Sequence, residues 1–151
     1  MALEINIPDD AMDIADEAKY IFLGEDVSVK FQIGNDDATL DTIDAGTATM
    51  VDVSGWAMTF IVRTSDTTLN AALITKTTGS GITIAGSFNA TASVNTQRVV
   101  VSIEDTDIPA YDGSTGLRPK TYRYSLKRTD AGSEKILAFG NFVLSEATAR
   151  A

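Results

Sequence analysis

The sequence predicts an all-β domain, an antiparallel sandwich or barrel of about seven or eight short strands. Apolar and polar residues alternate with a period of two through most of the 151 residues, which is typical of strands with one buried face. Clusters of Gly, Asp, Asn and Ser separate these runs and predict turns. A chain of this length buries roughly 70% of the surface that its unfolded form exposes, so a core forms without disulfides.

The first 19 residues follow a different pattern. The stretch "DDAMDIADEAKY" has an Asp as a candidate helix cap and good helix formers, but Met12, Ile14 and Ala18 make only a thin apolar stripe. We therefore expect residues 1–19 to form an extended N-terminal arm with one or two helical turns. Residues 20–151 are expected to form the β-sandwich domain.

Two strong strands are predicted in the first half of that domain. "EDVSVKFQIGN" alternates around Phe31, and "GWAMTFIVRT" places Trp56, Met58, Phe60 and Val62 on one face. Weaker strands are expected at "TATMVDV", "AALITKT" and "GITIAG", with a hairpin between the last two.

The second half contains three more alternating runs, "QRVVVSIED", "KTYRYSLKR" and "EKILAFGNFVLS". "RTDAGSEK" lies between the last two and predicts a hairpin turn. In the final run Leu137 and Phe139 alternate, and the pattern resumes on the other phase at Phe142. This change predicts a β-bulge at Gly140 and Asn141.

Trp56 is the only tryptophan. Its same-face neighbours in the predicted strand are all apolar, so we expect it to fill the core, where its indole N–H needs a single hydrogen-bond partner. The alternative is a stacking surface for a ligand, which requires other exposed rings nearby.

The composition excludes several kinds of active site. The chain has no cysteine and no histidine, which excludes Ser-His and Cys-His nucleophiles and nearly every zinc, copper or non-haem iron site. Carboxylate chemistry, a Lys or Tyr base, or a hard cation remain. No motif for these emerges, and we expect neither an enzyme nor a cofactor.

Four acids in "IEDTDIPAYDG" are the candidate ligands for calcium: Glu104, Asp105, Asp107 and Asp112. Their spacing does not match a calcium-binding loop, so solvated turn acids are the expected interpretation.

Charge is unevenly distributed along the chain. Residues 1–62 hold thirteen acids against two lysines, and the remainder holds eight acids against ten bases, which together give the net charge of −9. An acidic front repels phosphate, so no nucleic-acid partner is expected. This uneven charge favours head-to-tail contact between copies or docking on a basic partner surface. The alternative is that the acidic loops only keep the protein soluble. The bases near the penultimate strand are Arg118, Lys120, Arg123, Lys127 and Arg128.

No membrane association is expected. The acidic start "MALEINIPDD" lacks the basic and apolar regions of a signal peptide. No apolar run approaches the roughly 20 residues of a membrane span.

Taken in order, several runs resemble a family of small bacteriophage virion proteins. They are "FLGEDVSVKFQIGND", "DVSGWAMTFIVRTSD", "GITIAG", "VVVSIEDTDIPAY" and "TYRYSLKRTDAGSEKILAFGNFVLSEATAR". They are similar to the immunoglobulin-like N-terminal domain of phage baseplate upper proteins and to related head or tail accessory proteins. The match covers most of residues 22–150, and the acidic stretch 34–52 has no counterpart in it.

The resemblance implies an immunoglobulin-like β-sandwich and a structural role in the virion, assembled in the host cytoplasm. The expected function is capsid decoration or cementing, with the arm and strand edges contacting other virion proteins and other copies in a homo-oligomer. A tail or baseplate adaptor is the alternative within this class. An immunoglobulin-like module that binds a host glycan or protein, using residues such as Tyr111, is the alternative from another class.

Overall fold

A computed structural model describes residues 5–6, 21–35, 38, 40–64, 72–109, 113 and 117–145, and these residues are mostly β. Apart from Ile5 and Asn6, the predicted arm lies outside them. The strands are β1 (Ile5–Asn6), β2 (Ile21–Phe22), β3 (Val27–Ile33), β4 (Met58–Arg63), β5 (Ile74–Thr78), β6 (Gly81–Ala85), β7 (Arg98–Ile103), β8 (Lys120–Arg128) and β9 (Lys135–Ser145). A short helix α1 (Leu40–Asp44) and a 3-10 helix (Ala92–Val94) complete the described elements.

The seven longer strands form one mixed sheet in the order β3-β7-β6-β5-β4-β8-β9. The short strands β1 and β2 flank it, beside β3 and β9 respectively. The five strongly alternating runs and the β8–β9 hairpin are confirmed. The expectation of a purely antiparallel sheet is wrong, because β5 pairs with β6 in parallel and β2 pairs with β9 in parallel.

The prediction of a hairpin between β5 and β6 is wrong, because the two strands pair in parallel and the chain turns a sharp corner between them. Only Thr77 and Thr78 pair with β6, at Gly81 and Ile82. Gly81 has φ +99°, and a Cβ on it would lie 2.4 Å from the Cδ of Lys76. Glycine therefore allows the chain to turn tightly there, over the lysine side chain.

The sheet curls nearly into a barrel. Strand β2 is at one end of the strand order and β3 is next to β1 at the other, yet only residues 23–26 connect β2 to β3. Five residue steps span at most about 18 Å, so the two ends lie close together. Leu23 N donates to Ser145 O (2.9 Å) and Gly24 N donates to Ile108 O (2.6 Å), which holds this connection in place.

Inward-facing side chains of the curled sheet form one core. At its centre Phe60 of β4 stacks on Tyr124 of β8 at a centroid distance of 5.6 Å and lies 6.3 Å from Phe142 of β9. Phe31 of β3 lies 6.5 Å from Phe60 and 6.1 Å from Tyr124. Strand β3 therefore packs across the interior against β4 and β8, although three strands separate β3 from β4 in the sheet order.

The β-bulge in β9 is at Leu137, and the expectation of a bulge at Gly140 and Asn141 is wrong. Lys127 pairs with Ile136 and Leu126 pairs with Ala138, so Leu137 is the extra residue. Both Leu137 and Ala138 are buried, and Phe139 points outward. Gly140 faces inward, where a Cβ would lie 3.3 Å from the Tyr124 ring, so the missing side chain makes room for that ring.

One end of the molecule is built from α1 and the β6–β7 loop, residues 86–97, and is called the acidic pole below. The predicted strand "TATMVDV" forms only isolated bridges there, Gly34 to Met50 and Thr49 to Thr91. A small second core joins the two segments, and it comprises Ala38, Ile43, Ala48, Met50 and Ala92. The alternation analysis did not predict α1, which spans only five residues.

Candidate functional site

Among the candidate calcium ligands within the described residues, Asp107 stabilises a turn with its carboxylate, and Glu104 and Asp105 contribute backbone N–H donors. Asp107 Oδ2 accepts a hydrogen bond from Glu104 N (2.8 Å) and pairs with Lys76 Nζ (2.7 Å). Asp26 Oδ1 accepts from Asp105 N (2.8 Å). Asp112 and Tyr111 lie outside the described residues. Across the described ranges, no three carboxylates approach closely enough to hold a metal ion.

The tyrosines of β8 are structural. Burial raises the pKa of Tyr124 to about 12 and also raises the pKa of Tyr122. Both phenols are therefore protonated at neutral pH, and Tyr122 Oη donates to Arg118 O (3.0 Å). A protonated phenol cannot accept a proton as a general base, so neither residue fills the role of a Tyr base that the composition allowed.

Trp56 packs at the edge of the core and remains partly exposed, so the expectation that it is enclosed is only partly met. The guanidinium of Arg128 lies over the indole ring, 3.9 Å from its centroid. Asp130 Oδ2 accepts from Arg128 Nε (2.8 Å) and from Ala57 N (3.0 Å). The tryptophan is thus covered by an anchored cation, which argues against a stacking surface for a ligand.

The five bases named from the sequence do not share one surface. Arg128 turns toward Trp56, and Lys120 Nζ lies 5.1 Å from the centroid of the Tyr122 ring. Arg123 and Lys127 alternate with the buried residues of β8 and lie on its outer side. Arg63 of β4 is paired with Arg123 and joins them there. The sequence did not indicate Arg63, because the register between β4 and β8 cannot be read from either strand alone.

The outer sides of β4, β8 and β9 form the surface that we call the outer face. Three rows cross it: Thr59–Lys127–Ile136, Ile61–Ser125–Phe139 and Arg63–Arg123–Asn141. Neighbouring strands lie about 4.8 Å apart, so each row is a continuous strip. Arg123 Nη1 donates to Asn141 Oδ1 (2.7 Å), which fixes one cation in the plane of this surface.

The bulge at Leu137 creates the apolar part of the outer face. Without the extra residue, Ile136 and Phe139 would point to opposite sides of β9, because side chains alternate along a strand. With it, they are outward neighbours opposite Lys127 and Ser125. Phe139 is 71% exposed and Ile136 is 51% exposed. Small Ser125 separates Phe139 from the partly exposed Ile61, so the apolar strip reaches β4.

The outer face combines these apolar groups with positive charge. Its three rows contain Arg63, Arg123 and Lys127 and no carboxylate, although the chain as a whole carries a net charge of −9. Arg63 and Arg123 stand directly opposite each other on neighbouring strands. An acidic, partly apolar partner surface would complement the positive charge of this face and cover its exposed apolar side chains.

Comparison with protein-family models found no family that matches the chain, and comparison with curated proteins found no significant match. No helix among the described residues has the length and apolar character needed to cross a membrane.

Proposed function

We propose that this protein is a non-enzymatic structural component of a bacteriophage virion, a capsid decoration or cement protein present in many copies. The observation that carries the proposal is the outer face, a sheet surface with exposed Phe139 and Ile136 among three cations. Exposed apolar groups rimmed by charge are typical of protein interaction sites. The resemblance of the sequence to small virion proteins is the reason for proposing a virion as the assembly that this surface joins.

Strand edges add to this proposal. Within the described residues, the edge of β9 that faces away from β8 is paired only at Leu144 and Ser145, by β2. Open edges offer backbone N–H and C=O groups to an extended segment from another chain. We propose that this edge and the N-terminal arm contact neighbouring virion proteins.

The finer architecture that we propose is an immunoglobulin-like sandwich. The β5–β6 corner is held by two residue pairs only, and we propose that the curled sheet bends there into two layers, β3-β7-β6 and β5-β4-β8-β9. Packing of Phe31 against Phe60 and Tyr124 across the interior supports two facing layers.

A second candidate function is favoured by Phe139 itself. An exposed aromatic ring beside the hydrogen-bonded Arg123 and Asn141 side chains is a surface on which a host glycan can stack and form hydrogen bonds. The test is binding to a glycan array by the wild type and by Phe139→Ala. Binding that is lost in a correctly folded Phe139→Ala variant would favour a glycan-binding module over the virion role.

The test of the virion role is a mass-spectrometric count of this protein in purified particles of the phage that encodes it. Hundreds of copies per particle are expected for a capsid decoration protein. About a dozen would assign the protein to the tail or baseplate, and its absence from particles would overturn the proposal. A variant lacking residues 1–19 should fold but fail to join particles, whereas full occupancy by that variant would overturn the proposed role of the arm.

A further inference from the structure

We propose that the outer face binds the acidic pole of a second copy of this chain, in a head-to-tail contact. The inference rests on the proposed function, because it names the neighbour that the outer face meets in a many-copy assembly.

The exposed apolar side chains point to two separate contact surfaces. Five large apolar side chains are exposed among the described residues. Ile136 and Phe139 lie on the outer face. Phe88, 38% exposed, and Val94, 58% exposed, both lie in the β6–β7 loop at the acidic pole. Leu73 is the fifth, just before β5. A contact between the outer face and the acidic pole would cover four of the five.

The charges of the two surfaces are opposite. Asp41 and Asp44 are exposed on α1, at the acidic pole. The outer face presents Arg63, Arg123 and Lys127. Opposite potentials speed association and fix the relative orientation of two partners. Contact between two outer faces would instead place cations against cations.

The two surfaces lie on different sides of one molecule, so they meet only between copies. The acidic pole joins the end of β3 through the bridge from Gly34 to Met50. Strand β3 packs across the core from β4 and β8, with Phe31 against Phe60 and Tyr124. The outer face looks away from that core. A contact between unlike surfaces of identical chains closes into a ring or continues as a filament, which suits a many-copy particle component.

The test uses two variants of the full-length protein that each damage one surface. The face variant carries Lys127→Glu and Phe139→Ser, and the pole variant carries Asp41→Lys and Val94→Ser. All four residues are exposed, so both variants should fold, and circular dichroism and thermal unfolding check this. Thr83→Glu, exposed on β6 and outside the residues that define either surface, is the control.

Sedimentation velocity over a concentration series at low salt gives the readout. The wild type and the control should associate, and each variant should weaken the apparent Kd by at least about tenfold, or about 1.4 kcal/mol. An equimolar mixture of the two variants should form a 1:1 dimer that does not grow, because only one intact contact is available. High salt should weaken the association of the wild type.

Three outcomes would overturn the head-to-tail contact. They are a monomeric wild type at every concentration, continued self-association of the pole variant, and a mixture that stays monomeric. A monomeric wild type that still occupies particles would leave the proposed function standing. A protein that self-associates as expected but is absent from particles would remove the virion role and leave the contact.

Discussion

Replacing Phe139 and Phe142 separately by alanine tests the register of β9. Phe142 is fully buried, with its ring 6.3 Å from that of Phe60, and truncation of such a ring costs about 3–5 kcal/mol. Phe139 is 71% exposed, so about 29% of it is covered. Full burial of a phenylalanine is worth about 1.5–3 kcal/mol, which gives about 0.4–0.9 kcal/mol for Phe139→Ala.

These costs should be measured by urea and thermal unfolding, followed through the fluorescence of Trp56. In a domain of this size 1 kcal/mol shifts Tm by about 2–4 °C. We therefore expect a loss of about 6–20 °C for Phe142→Ala and at most about 4 °C for Phe139→Ala. Equal losses would refute the reasoning, because they would mean that Phe139 points inward and that β9 has no bulge at Leu137.

Three further predictions concern the turns and the ion pairs. Gly86→Ala should lower the free energy of unfolding, measured by chemical denaturation, by more than about 2 kcal/mol, because φ is +79° and the new Cβ would collide with a facing main-chain oxygen. Gly55→Ala is the control, since Gly55 also has φ +79° but lies in open space, and it should cost about 1–2 kcal/mol. Equal costs for the two variants would contradict the clash at Gly86. Asp107→Asn should lower the free energy of unfolding by about 1–3 kcal/mol, because it leaves the largely buried Lys76 without its charged partner. Lys76→Met should lower it by less, because it removes the buried charge as well. A larger loss for Lys76→Met than for Asp107→Asn in urea denaturation would contradict this account of the ion pair. The hydrogen bond from Arg128 lowers the pKa of Asp130 from its ordinary value of 3.8, so its stabilising effect is present above that pH and is lost as pH falls below it. Asp130→Asn should therefore flatten the fall in Tm at pH values below 3.8, and an unchanged slope would speak against the shift.

The sequence was informative about the core because burial on one side of a strand imposes a period of two. The period alone places Phe31 and Phe60 on inward faces, and both are buried. The period carries no information about which strands are neighbours. The single curled sheet and its two parallel pairings therefore had to come from the structure.

The outer face could not be predicted from the sequence, for two physical reasons. A bulge adds one residue and inverts every side chain beyond it, and the sequence offered Gly140 as a more obvious irregularity than Leu137. Cross-strand neighbours such as Arg63 and Arg123 lie far apart in sequence and meet only through the register of β4 on β8. The bases Arg123 and Lys127 are evident in the sequence, but the alternation places Phe139 on the same face as the buried Leu137 and not beside these bases.

The most direct measurement is hydroxyl-radical footprinting of the outer face, read residue by residue by mass spectrometry in dilute protein and in the assembled state. Phe139 and Ile136 should be oxidised readily in the dilute protein, given their exposures of 71% and 51%, and should become protected on assembly, while the buried Phe142 stays unreactive in both. Equal oxidation of Phe139 in the two states would contradict its role in assembly.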